Sequence, residues 1–237
     1  MHDRYAFQEG KSMTDTHFAS ARRNMVEYQI RCCKVLDPNV LDLIESMPRE
    51  EFVPENVRSL AYMEGHVPLP CNQEMLSPLQ EASILQQLQL TGSEKVLEIG
   101  TGTGFLTAML AMLAAEVVSC EIHPELAELA TSNLASHGIS NARVIQINAM
   151  DANAVRQHPE LAGPFDAVVI GAAVREVPEH LKALVKDGGQ MMAFVGENPV
   201  LSLVHKRRIG KTWQTTHLFE TLLQNIEGLP ERREFVF

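Results

Sequence analysis

Basic residues are in short supply. Twenty Lys and Arg face 30 Asp and Glu in 237 residues, giving a formal net charge of −10. A chain of that sign lacks the basic face that displaces counterions from nucleic acid, and it suits an anionic membrane surface no better. The one basic cluster, His205-Lys206-Arg207-Arg208, reads as the solvated edge of a strand. Aromatics are sparse at 5%, so Leu, Val, Ile, Ala and Met must fill the interior. No apolar run approaches the roughly 20 residues of a membrane span. The first twenty residues also lack an apolar signal-peptide core. Cys32, Cys33, Cys71 and Cys120 form no Cys-x-x-Cys, and the histidines show no His-Glu-x-x-His or similar ligand spacing. These absences point to a cytoplasmic protein with reduced thiols and without a metal, nucleic-acid or membrane partner. They leave the oligomeric state open.

What is present is a regular alternation. Apolar runs at Lys95–Ile99, Glu116–Glu121, Arg143–Ile147, Phe165–Ile170 and Gly189–Val195 are separated by helical patterns at Gly104–Ala114, Pro124–His137, Ala152–His158 and Glu179–Val185. Near-continuously apolar strands with helices between them imply a parallel sheet covered on both faces. After Gly196, two β-like runs, Leu201–Ile209 and Trp213–Gln224, flank a Gly210-Lys211 turn and suggest an antiparallel hairpin. Upstream, helices are expected from Phe18 to about Val35, over Asn39–Ser46 and from Ser77 to about Leu90. Asp37-Pro38 caps the second, and Ser77-Pro78-Leu79-Gln80 forms a capping box for the third. Residues 55–76 read as irregular. The expected fold is α/β, a doubly wound, mostly parallel Rossmann-like sheet with a C-terminal hairpin and an N-terminal helical region. Residues 1–17 read as a flexible tail in which Met13 could be the native start. Residues 18–90 read as a helical cover and 91–237 as the core.

The stretch Val96-Leu97-Glu98-Ile99-Gly100-Thr101-Gly102-Thr103-Gly104-Phe105 closes the first core strand. Ligands of open parallel sheets sit beyond the carboxyl ends of the strands. A loop stripped of side chains lets backbone N–H groups approach such a ligand closely. The dinucleotide fingerprint G-x-G-x-x-G needs glycine where Phe105 stands. The spacing E-x-G-x-G-x-G, with Glu98 ahead of Gly100, Gly102 and Gly104, is instead common in S-adenosylmethionine-dependent methyltransferases. Glu121 ends the next strand, where an acid can accept both ribose hydroxyls, although NAD enzymes use the same device. Ile122 could lie on the adenine face, and Asn148-Ala149 could meet the adenine edge. Cofactor-binding candidates are thus Glu98, Gly100, Thr101, Gly102, Gly104, Glu121, Ile122, Asn148 and Ala149. The fourth strand ends Ile170-Gly171-Ala172-Ala173, with neither an Asn/Asp-Pro-Pro-aromatic turn nor acids to hold magnesium. Both omissions favour an oxygen acceptor reached without a metal.

The chain resembles the protein-L-isoaspartate O-methyltransferase family, of the class I S-adenosylmethionine-dependent methyltransferases. The resemblance rests on Met47-Pro48-Arg49-Glu50-Glu51-Phe52-Val53-Pro54, on Ala61-Tyr62 with Val67-Pro68-Leu69, and on the glycine stretch. It continues through Phe165-Asp166-Ala167, Ala172-Ala173, Asp187-Gly188-Gly189 and Val195-Gly196. The run Ala21-Arg22-Arg23-Asn24-Met25-Val26 is similar to a divergent bacterial branch. The resemblance implies S-adenosylmethionine as donor, an isoaspartyl carboxylate in damaged proteins as acceptor, and repair as the outcome. It also implies that Ser77 lies at the catalytic, acceptor side. Departures are Met75-Leu76-Ser77-Pro78-Leu79 in place of Thr-Ile-Ser-Gln-Pro, and Asn148 in place of an aspartate. A methyltransferase with another acceptor, or a non-catalytic cofactor-binding protein, is the alternative.

Overall fold

Apolar strands that bury both faces need helices on both sides, and the computed structural model arranges the central strands so. It describes residues 13–197 and 199–229, with backbone alone at 13–15. The chain begins with α1 (Met13–Met25), which continues through a π turn at Val26–Ile30 and a 3₁₀ turn at Arg31–Cys33. The helix expected from Phe18 therefore starts five residues earlier, at Met13, so 13–17 belong to it; the rest of the expected tail, 1–12, lies outside the described residues. Then come α2 (Pro38–Ser46), 3₁₀ turns at Arg49–Glu51 and Glu55–Leu60, and a small ribbon, β1 (Val67–Leu69) against β2 (Gln73–Met75). The ribbon falls in the stretch read as irregular. α3 (Pro78–Leu88) follows, with Ser77 and Gln80 forming the expected capping box. Such a cap stabilises its helix by about 1 kcal/mol.

The core elements are β3 (Lys95–Ile99), α4 (Phe105–Leu113), β4 (Glu116–Glu121), α5 (Pro124–Ser136), β5 (Ala142–Gln146) and α6 (Ala152–Gln157). They continue with β6 (Phe165–Val174), α7 (Glu179–Ala183), β7 (Val185–Glu197), β8 (Val200–Ile209) and β9 (Thr212–Thr221). The seven-stranded sheet has the order β5-β4-β3-β6-β7-β8-β9. The first five strands in that order run parallel, and β8 and β9 add antiparallel as the expected hairpin.

Alternate residues of each central strand serve opposite layers. Val96, Val117, Val169 and Phe194 join the larger apolar cluster with α3, α4, α5 and the N-terminal helices. Leu97, Val118, Val168 and Met191 join the smaller one with Val155 of α6 and Leu181 of α7. Each such side chain, fully buried, contributes roughly 1.5–3 kcal/mol. The helical cover and the sheet thus share one continuous core. The chain winds outward from β3 to β5 and then returns to the other side of β3 with β6. A crevice opens where that direction reverses, beyond the carboxyl ends of β3 and β6.

Candidate active site

The glycine loop turns tightly at the end of β3. Gly100 N–H donates to Cys120 O (2.8 Å), and Gly104 N–H donates to Thr101 O (3.0 Å). Gly102 and Gly104 have φ of +57° and +85°, left-handed backbone that side chains disfavour. The two glycines serve different ends. A Cβ on Gly102 would meet only the tip of Leu69, at 3.5 Å, on the open side of the loop. A Cβ on Gly104 would press on the Ala130 backbone of α5 at 3.3 Å. Gly104 thus lets the loop pack on α5 and is not among the residues that line the crevice.

Glu121, 4% exposed, closes the loop from the neighbouring strand. Its Oε2 accepts from Gly102 N–H (2.8 Å) and its Oε1 from His123 N–H (3.0 Å). A carboxylate offers about four lone-pair sites, so acceptor capacity remains on both oxygens. Glu98 is fully buried beneath the loop. Its Oε2 accepts from Thr107 and Ser119, while its Oε1 has no partner. Ser119 in turn meets Thr101 Oγ1 at 2.6 Å. Burial pushes the Glu98 carboxyl up to about 7, against the lowering effect of the two hydroxyls and with a further rise from Glu121. Burial likewise pushes the Cys120 thiol up to about 12, which makes it an inert wall residue.

The crevice is lined by Gly100, Gly102, Glu121, Ile122, Asn148 and Ala149 among others. Thr101 faces a smaller continuation that runs along the loop toward Leu76 and Glu81. Glu98 and Ser77 line neither space. Ser77 Oγ caps α3 by accepting from Gln80 N–H (3.3 Å), one residue beyond Leu76.

Sequence reasoning missed two parts of the wall. One is the ribbon, whose Leu69 and Glu74 border both spaces. Its turn holds Cys71 and Asn72 at φ of +59° and +55°, left-handed without glycine. The other is a strap of residues 222–228 laid across the crevice, where Leu223, Gln224, Ile226 and Glu227 form one side. Ala173 N–H donates to Gln224 O, and Ile226 N–H donates to Ala173 O. Gln224 reaches Asn72 O, Gln73 reaches Glu227, and His123 sits 3.3 Å from Glu227. Asn148 Nδ2 donates to Gly228 O (3.0 Å), while its Oδ1 accepts from Met150 N–H. The Asn148 amide is therefore committed to the strap and its own turn, and an aspartate there could not donate.

A glycine loop at the switch point, an acid at the end of the adjacent strand and this strand order define the Rossmann-like methyltransferase class. The family model of protein-L-isoaspartate(D-aspartate) O-methyltransferase matches residues 20–222. A protein-L-isoaspartate O-methyltransferase 1 of Rhodopseudomonas palustris is 39% identical over 181 residues, 76% of this chain and 71% of that one. A Koribacter versatilis protein-L-isoaspartate O-methyltransferase is 35% identical over 203 residues, 86% and 89% of the two chains. The chain belongs to the protein-L-isoaspartate(D-aspartate) O-methyltransferase family. Its fold matches a Plasmodium falciparum crystal structure described as an enzyme of this name in complex with S-adenosyl-L-homocysteine. That match has a TM-score of 0.71 and 20% identity, and it covers 88% of this chain and 97% of the other.

Proposed function

We infer that the protein methylates the free carboxylate of L-isoaspartyl residues in damaged proteins, with S-adenosylmethionine as donor. The observation that carries this reading is the Glu121 carboxylate with spare acceptor capacity beside a side-chain-free loop, in a chain matching the family over residues 20–222. The residues present fit the donor. Glu121 would accept the ribose hydroxyls, and Ile122, Ala149 and the apolar wall would enclose adenine. The space beside Gly102, which a Cβ would enter, would take the methionyl part. Below it lies the Glu98 oxygen without a partner. When bound, S-adenosylmethionine supplies a methyl group already activated by its sulfonium.

The protein's own contribution is alignment and the exclusion of water. An acceptor carboxylate is ionised near pH 7 and needs no general base. One of its oxygens forms the new bond to carbon as the carbon–sulfur bond breaks, and the sulfur keeps the electron pair. The methyl ester then leaves as methanol when the neighbouring amide nitrogen closes a succinimide, which water reopens to aspartate or isoaspartate. Ser77, at the start of α3 and next to Leu76 of the smaller space, would orient the acceptor. The four free thiols fit a reducing cytoplasm. A second reading, an uncharged acceptor, is favoured by Glu74, whose carboxylate borders both spaces where an anionic acceptor would pass.

The test pairs isoaspartyl and aspartyl versions of one peptide with labelled donor. Label is expected in the isoaspartyl peptide alone. Donor binding without label transfer to that peptide would overturn the acceptor assignment.

A further inference from the structure

No residue of Met47–Pro54 lines either space, yet the side chains of this segment reach residues that do. Among the described residues, Arg49 is the only buried cation, at 1% exposure, while Glu50, Glu81, Glu98 and Glu121 are all buried. Its guanidinium donates from Nε to Ala61 O (2.8 Å), from Nη2 to Leu76 O (2.6 Å) and from Nη1 to the Glu81 carboxylate. Its Cζ lies 4.9 Å from the centre of the Phe105 ring, the first residue of α4 after the glycine loop. Leu76, Glu81 and Phe105 all border the smaller space along Gly100–Thr103. Leu76 also precedes Ser77 directly. One planar group thus touches the acceptor-side backbone, the helix that Ser77 caps, and the root of the donor loop.

We propose that Arg49 is a positioning residue for methyl transfer, which sets the Leu76–Ser77 backbone against the glycine loop and touches neither donor nor acceptor. The inference rests on the methyl-transfer reading above. The donors of a guanidinium are fixed in direction, so three acceptors on three segments can be met in one arrangement only. A lysine could neutralise Glu81 but could not hold Ala61 O and Leu76 O as well. A buried ion pair is weak as a source of stability, and its best-attested use is to fix register. In-line displacement needs that register, because a misplacement of about 1 Å can cost on the order of 100-fold in rate. The neighbouring motif residues reinforce the docking. Phe52 packs edge-on against Phe105, with ring centres 5.3 Å apart, and Glu50 accepts from Arg22 and Tyr62.

The experiment compares the full chain with Arg49→Lys and with the double variant Arg49→Met/Glu81→Leu. The first keeps the charge, and the second replaces the pair by apolar groups of similar volume; rates and affinities are measured on whichever folds. S-adenosylhomocysteine affinity is expected within about threefold of the parent, while kcat on the isoaspartyl peptide falls about 10- to 100-fold. Amides at 61–63 and 76–77 should exchange faster, with 98–104 unchanged. An unchanged kcat in a folded variant, or cofactor affinity falling in step with kcat, would overturn the proposal. Should the parent fail to methylate the peptide, the acceptor reading falls and the exchange data decide for Arg49. Faster exchange at those amides upholds the role, and unchanged exchange in Arg49→Lys removes it.

Discussion

Glu98→Gln tests the electrostatics beneath the donor loop. The Glu98 carboxyl rises from 4.5 to about 7 in the folded protein, because burial outweighs the hydrogen bonds from Ser119 and Thr107. The folded protein therefore holds a proton that the unfolded chain has already released. The associated stability is fully present below 4.5 and is lost as pH rises through about 7. At roughly 1.4 kcal/mol per unit, the whole shift corresponds to about 3 kcal/mol, of which about 2–3 kcal/mol is lost between pH 5 and pH 8. Glutamine has no proton to release, and its amide can still accept from both hydroxyls. Removing Glu98 also relieves Glu81, whose own rise to about 7 comes from burial, is opposed by Arg49 and is increased by Glu98. That change acts in the same direction. Urea unfolding of both proteins from pH 5 to pH 8 reads the difference directly. The variant should gain about 2–3 kcal/mol on the parent across that window. A difference that stays constant with pH would refute the reasoning.

Three further outcomes are expected. Glu121→Ala should weaken S-adenosylhomocysteine binding at least about tenfold by calorimetry, since hydrogen bonds to a charged group contribute roughly 1.5–3 kcal/mol each; undiminished binding would remove the ribose assignment. Gly104→Ala should lower unfolding free energy more than Gly102→Ala, because strained left-handed backbone costs about 1–3 kcal/mol at either position and only Gly104 adds the collision with Ala130. Cofactor affinity measured on the folded variants should fall chiefly in Gly102→Ala, and the reverse order would contradict the separate roles of the two glycines. Asn148→Asp deletes the donor to Gly228 O, worth about 1 kcal/mol, so stopped-flow release of S-adenosylhomocysteine should quicken about fivefold; an unchanged rate would show that the strap is not held there.

The donor half was legible because its physics is local. β3 and β4 begin and end where their apolar runs do, and the glycine loop announces itself by composition. The acid at Glu121 follows from strand-end position alone. The N-terminal helix was harder, since Met13–His17 is polar and the π turn at Val26–Ile30 breaks the helical period. The ribbon at 67–75 escaped notice because three-residue strands carry no alternation to read, and Pro68 argues against a strand. The strap has no periodicity at all, being held by the side chains of Gln73 and Asn148 from distant parts of the chain and by its own Gln224 on Asn72 O. Nor could composition show that Arg49 is buried, because a charge run reads as a solvated face until its partners are known. Nor could the glycine spacing show that Gly104 faces Ala130 of α5, a neighbour set by tertiary packing.

The strap has a kinetic meaning. Residues 222–228 wall one side of the crevice and are tied to Ala173, Asn148 and the ribbon tip, so a molecule can pass on that side only after those contacts are broken. Lid opening of that kind sets the pace of many enzymes.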